Sequence, residues 1–170
     1  TGYDTFGYVF FQTLVLDKNG NIILLTRAPD LRQAQNTSNI EDIKIWVDKD
    51  GSNPTDDLKV ILDELNLKGK KIGVEYEAYG LTGRNALRLN KSFENYCSLE
   101  DKSNLITKLR VVKSKEEIIY VKKAAELADK ALDEVWKHAK AGVSESKILA
   151  EMNRVIFEGG GDYPANEFII

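Results

Sequence analysis

Leu109-Arg110-Val111-Val112-Lys113-Ser114-Lys115-Glu116-Glu117 divides the chain into two kinds of structure. It reads as a short extended segment that gives way to the strongest helix in the sequence. Ser114 is an N-cap residue with Glu117 three positions on, so each side chain can satisfy a backbone N–H at the helix start. Glu116 and Glu117 also place negative charge at the positive end of the helix dipole. From there Ile118, Val121, Ala125, Ala128, Leu132, Val135 and Trp136 recur at three- and four-residue spacing to about Ala139. Such a stripe needs a large partner surface. The residues after it offer only one more helix, capped by Ser144 with Ile148, Leu149, Met152, Val155 and Ile156 on its face, and a loop entering a strand after Gly159-Gly160-Gly161. The long helix is therefore expected to be under-covered.

Ahead of the dividing stretch the pattern changes. Tyr8 to Leu16 is nearly continuous in aromatic and branched residues and reads as a strand buried on both faces. Asp17-Lys18-Asn19-Gly20 turns the chain, and Asn21 to Thr26 returns as the second strand of a hairpin. Arg27 to Ser38 is a polar connection. It reads either as a short surface helix begun after Pro29 or as a loop presenting Arg27 or Arg32 to an anionic group. Ile43 to Val47 alternates as a third strand. The acidic turn Asp48-Lys49-Asp50-Gly51 lacks the glycine and glutamate positions of a calcium loop. Asn53 and Pro54 open a helix that buries Leu58, Ile61, Leu62 and Leu65; Lys70 to Glu75 is a strand, and Leu81 to Leu89 a short helix. Strands alternating with helices argue a mixed α/β sheet.

Composition narrows the partners. A chain of 170 residues, 42% hydrophobic, can bury a sizeable core. No apolar run reaches membrane-spanning length, and Thr1-Gly2-Tyr3-Asp4 has no signal-peptide pattern, so no membrane partner is expected. With 24 basic and 27 acidic residues, the chain lacks the basic footprint of a nucleic-acid binder. A single cysteine, Cys97, excludes an intrachain disulfide and fits a structural thiol in a reducing cytoplasm. The absence of an initiator methionine fits a fragment.

Chemistry is sparse. His138, the one histidine, sits where a positive charge suits a helix C-terminus. The paired acids are accounted for by helix starts and solvated faces, no nucleophile has a recognisable base, and no residue is assigned as catalytic or as a metal ligand.

Taken together, the motifs resemble the creatinase, prolidase and aminopeptidase P family. Thr1-Gly2-Tyr3 is similar to its TG(F/Y) segment, Ile72-Gly73-Val74-Glu75 to its IGvE strand, and Leu109-Arg110 with Lys113 to Glu117 to its entry to the catalytic domain. Ala141 to Glu145 resembles the turn that follows. Within the family, Gly159 to Ile170, with Gly2 to Gly7 and Thr26 to Ser38, looks most like the DddP-type dimethylsulfoniopropionate lyases.

The resemblance implies a partial creatinase-like N-terminal α/β domain over residues 1–110, then the first helices of a pita-bread α+β catalytic domain over residues 111–170. The chain would then be an internal slice, with part of the first domain before Thr1. It implies two divalent metal ions whose ligands lie beyond Ile170, so none is assigned to this chain. The implied reaction is release of dimethylsulfide and acrylate from dimethylsulfoniopropionate. Hydrolysis of Xaa-Pro peptides is one alternative, and a non-catalytic interaction module another. The implied partners are a small-molecule or dipeptide substrate and a second copy in a homodimer. Arg27, Asp30, Arg32, Asn166 and Phe168 are the implied substrate-binding residues.

Overall fold

The computed structural model describes residues 2, 3, 5, 10–163 and 168, and divides into two compact units, Thr1–Leu109 and Arg110–Ile170.

The first unit is built on a hairpin. Strands β1 (Thr13–Leu16) and β2 (Ile22–Arg27) pair antiparallel, and β3 (Asp42–Trp46) adds parallel to β2, giving the order β1-β2-β3. Asp17 closes the turn, its carboxylate accepting from the Asn19 and Asn21 backbone N–H groups at 2.8 and 3.0 Å. Those bonds hold the Asp17 carboxyl below its usual range, although desolvation opposes them. Burial on both faces belongs to β2 and not to the first strand. Leu25 faces the larger core and Leu24 a smaller one with Ala34 and Ile40. In β1, Leu14 and Leu16 are exposed, and among the described residues this strand has a neighbour on one side only. Tyr8 and Val9, the start of the expected first strand, lie outside the described residues.

The polar connection is helical, as the simpler reading has it: a 3-10 turn at Ala28–Asp30, then α1 (Leu31–Thr37). Helix α2 (Pro54–Glu64) begins with Pro54, where the missing N–H costs nothing. Asn53 stands at its N-cap position but makes no side-chain cap; its amide donates to Asp56 and Ser92 instead. The fully buried Thr55 hydroxyl is satisfied by Asn53 and by Ser92 of α3 (Gly83–Phe93), at 2.9 and 2.6 Å. Strands β4 (Lys71–Val74) and β5 (Ser98–Asp101) form a separate parallel pair.

Leu25, Trp46, Leu58, Ile61, Leu62, Leu89, Phe93 and Tyr96 make the main core. Two polar groups enter it with partners: Trp46 Nε1 donates to the Phe11 carbonyl at 2.9 Å, and Tyr96 Oη to Asp63 at 2.7 Å. Burial, followed by the bond to Asp63, pushes the Tyr96 phenol well above its usual range. Burial likewise raises the Cys97 thiol, against the pull of Lys59, which fits a structural cysteine.

The dividing stretch is helical where an extended segment was expected. Helix α4 (Leu105–Val111) carries the chain across the unit boundary and stops just ahead of Ser114. The second unit is α5 (Lys115–His138) and α6 (Glu145–Glu158). The capping box is present: the Ser114 N–H donates to Glu117 at 2.7 Å, and the Glu117 N–H to Ser114 Oγ at 3.2 Å. Gly142 takes φ +86° in the turn, a left-handed conformation suited to glycine. At the far end, Gly159 and Gly161 sit against the Leu127 side chain of α5, which a Cβ at either position would crowd.

On α5 the expected stripe stays uncovered. Ile118, Val121 and Leu132 are 41%, 52% and 52% exposed, whereas Ala131 and Glu134 are buried. Among the described residues no helix is long and apolar enough to cross a membrane.

These two environments predict opposite responses to truncation. Phe93→Ala, at a site 1% exposed, should lower unfolding stability by about 3–5 kcal/mol. Trp136→Ala, at a site 75% exposed, should change it by less than about 0.5 kcal/mol. Urea titration of both variants against the parent chain measures the contrast.

Candidate functional site

Polar side chains gather where β2 ends. Thr26 and Arg27 are its last residues, and the 3-10 turn that follows brings Asp30 back beside them. Arg27 Nε donates to Asp30 Oδ2 at 2.9 Å and its Nη2 to Oδ1 at 3.3 Å, a two-point pair in which both side chains are largely buried. The guanidinium also lies 3.1 Å from the centroid of the Phe10 ring and 3.9 Å from Asp48. Gln12 ties the group together: its amide approaches Thr26 Oγ1 at 2.6 Å, Tyr3 Oη at 3.0 Å and Asp30 Oδ2 at 3.4 Å, and its carbonyl accepts from Thr5.

The expected substrate residues therefore fall into three places. Arg27 and Asp30 come together and hold each other. Arg32 sits exposed in the first turn of α1, with no ion pair among the described residues. Phe168 is half-buried in the second unit, and Asn166 lies outside the described residues. Gln12 was not singled out from sequence, and Tyr3 only as part of the Thr1-Gly2-Tyr3 motif, not as a member of this cluster. A glutamine inside an apolar run was the available signal for the first.

The second polar cluster joins α5 to α6. Glu134, buried on α5, accepts from Lys137 Nζ at 2.6 Å and lies 3.4 Å from His138 Nε2 and 4.0 Å from Arg154. Arg154 in turn donates to Glu151 at 2.8 Å and Glu158 at 2.6 Å. Ligand atoms of Glu134, His138 and Glu151 lie within 4.8 Å of one another, so one histidine and two carboxylates converge as a divalent-ion set does. The carboxylates are already neutralised by Lys137 and Arg154, however, and an incoming cation would have to displace both. The cluster fits a cross-helix ion network, not the two-metal centre that the resemblance implied. Sequence reading placed His138 as an isolated helix-end side chain; the contact with Glu134 four residues back was readable, the approach of Glu151 and Arg154 was not.

The network sets a pH window. The bond from Lys137 holds the Glu134 carboxyl below its ordinary value of 4.5, with Lys137, Arg154 and His138 adding charge attraction against desolvation. The bond from Arg154 does the same for Glu151, and the bond to Glu134 raises Lys137. Depressed carboxyls stabilise the folded state above their unfolded value and lose that contribution as pH falls through the folded one. Acid should therefore loosen the α5–α6 pair below about pH 4.5. Glu134→Gln should flatten that dependence, as thermal melts between pH 3 and 7 would read.

Metal titration tests the same cluster. Calorimetry with Zn²⁺ or Mn²⁺ should show no tight one-to-one binding by these 170 residues. Tight binding abolished by His138→Ala would contradict the ion-network account.

Comparison with known proteins places this architecture. Residues 1–112 match the creatinase/prolidase N-terminal domain model. The chain is 25% identical to the ectoine hydrolase of Halomonas elongata, over 97% of this chain and 45% of that protein. It is 28% identical to the Xaa-Pro dipeptidase of Pyrococcus furiosus, over 55% and 28%. The crystal structure of the X-Pro aminopeptidase of Thermotoga maritima shares the fold, with a TM-score of 0.67 at 21% identity over 88% of this chain and 40% of that one. The chain spans less than half the length of these curated relatives. With most of its length under the family model, the chain belongs to the creatinase/prolidase N-terminal domain family.

Proposed function

We propose that these residues are the first domain and the opening helices of a hydrolase that cleaves Xaa-Pro peptides, residues 1–110 covering the substrate and 111–170 leading into the pita-bread catalytic domain. The observation that carries this reading is the family match over residues 1–112 together with relatives named for hydrolysis. They favour the hydrolase over the dimethylsulfoniopropionate lyase to which the terminal motifs pointed. The lyase and the non-catalytic module are the readings to be separated from it.

In the proposed reaction, water adds across the bond between a residue and proline, and a carboxylate and the proline amine are released. Divalent metal ions held by residues outside these 170 would lower the pKa of the attacking water. This chain's own part is to bind and orient. Arg32, Asn166 and Phe168 are proposed substrate contacts. Arg27 and Asp30, committed to each other and to Gln12, are proposed to fix the backbone that presents Arg32. A homodimer in the cytoplasm is part of the same proposal.

The full-length protein given Xaa-Pro dipeptides should release free proline and lose that activity on chelation. Dimethylsulfide from dimethylsulfoniopropionate with no proline would establish the lyase instead, and neither product the module. Arg32→Ala should raise KM about tenfold with kcat little changed, as expected for loss of one charge-assisted contact.

A further inference from the structure

The turn between β1 and β2 carries a reactive pair that neither polar cluster includes. Asn19-Gly20 is the chain's one Asn-Gly sequence, and both residues are exposed. In such a pair the backbone nitrogen of the glycine can attack the side-chain amide carbon of the asparagine. Gly20, at φ +88°, has no side chain to hinder that approach, and the space around it is open.

In the folded turn both reacting groups are tied to Asp17. The attacking nitrogen is occupied, because the Gly20 N–H donates to the Asp17 carbonyl at 3.1 Å. The amide that would leave is occupied too, since Asn19 Nδ2 donates to Asp17 Oδ2 at 3.1 Å. The Asn19 N–H, the Asn21 N–H and the Asn21 amide donate to the same carboxylate at 2.8, 3.0 and 2.8 Å, so the carboxylate is itself fixed in place. Its charge also disfavours the amide anion through which the Gly20 nitrogen attacks.

We infer that Asn19 is a self-modifying site guarded by Asp17, and that its conversion to aspartate or isoaspartate opens the β1–β2 hairpin. The Gly20 nitrogen gives its proton to solvent base and bonds to Asn19 Cγ, the Cγ–Nδ2 bond breaks, and ammonia leaves a cyclic imide. Water then opens the ring. Cleavage at Cγ leaves aspartate, and cleavage at the Asn19 main-chain carbonyl leaves isoaspartate with the backbone routed through Cγ. Water is the one co-reactant.

Either product undoes what Asp17 holds. A donor amide becomes a carboxylate at a place now 3.1 Å from Asp17 Oδ2, and the two charges repel. Isoaspartate also lengthens the main chain between Asp17 and Asn21, whose N–H and carbonyl meet at 3.2 Å to close the hairpin. The disturbance is passed along β1 to Gln12, the residue just ahead of it, which bonds Thr26 and Asp30.

Ageing the chain in mildly alkaline buffer tests both halves, with peptide mapping that separates the amide, aspartyl and isoaspartyl forms. In guanidinium chloride Asn19 should convert ahead of every other asparagine, and in the folded chain at least about tenfold more slowly. Asp17→Asn keeps an oxygen for the backbone N–H groups but loses the carboxylate that holds the amides. It should speed conversion in the folded chain about threefold or more, with Trp46 fluorescence unchanged. Purified converted chain should melt below the unmodified chain. Equal rates in the folded and unfolded parent, no conversion of Asn19 in denaturant, or a natively folded Asp17→Asn chain no faster than the parent would overturn the guarded site. Converted chain that melts with the parent would overturn the opening of the hairpin. The ratio of folded to unfolded rates needs no variant, so it decides the matter even where Asp17→Asn fails to fold.

Discussion

The first unit depends on the burial of one strand from both sides. Leu25 of β2 is fully buried against the helices α2 and α3, and its neighbour Leu24 is buried against α1. Because successive side chains of a strand point to opposite faces, those two residues fix which helix covers which face. A slip of one residue in the β1–β2 register would exchange them. The same alternation buries Thr26 and delivers Arg27 to the strand end, where the turn at Ala28–Asp30 meets it with a carboxylate. The polar cluster is thus a consequence of how the apolar strand is clamped, and Gln12, arriving from β1's leading residues, completes its bonding.

The second unit rests on weaker terms. α5 and α6 meet through Leu127, Ala131 and the glycines after α6, and through a network of charges in which exposed or half-exposed partners converge on the buried Glu134. The outer pairs, such as Arg154 with Glu158, are exposed and contribute little to stability. Meanwhile Ile118, Val121, Leu132 and Trp136 remain open to solvent. A helix of 24 residues with that much uncovered apolar surface fits the opening of a larger domain, which is the role proposed for it.

Much of this was legible in the residues, for local reasons. The Ser114–Glu117 box, the Asp17–Gly20 turn, Pro54 and Gly142 each act within a few positions of themselves. What escaped depended on distant partners. β5, Ser98-Leu99-Glu100-Asp101, has no apolar alternation and is a strand because β4 lies alongside it. The segment from Leu109 was read as extended, yet α4 runs from Leu105 through Leu109 and Arg110 to Val111, and only Val112 beyond it is a bend. The stripe of α5 stays uncovered as expected; that Ala131 and Glu134 are the residues buried instead was not legible, because the packing of α6, through Gly159 and Arg154, chooses them. At the site, the proximity of Arg27 and Asp30 could be read from their three-residue spacing. The commitment of Arg27 to Asp30 and Phe10 could not.

The central claim is that, among the described residues, the first unit carries its own core and the second does not. The two tryptophans separate them, since Trp46 is buried in the first and Trp136 exposed in the second. A Trp136→Phe chain titrated with urea should lose far-UV helical signal before Trp46 fluorescence changes, giving two transitions that do not coincide. Superimposable curves from the two signals would contradict the account.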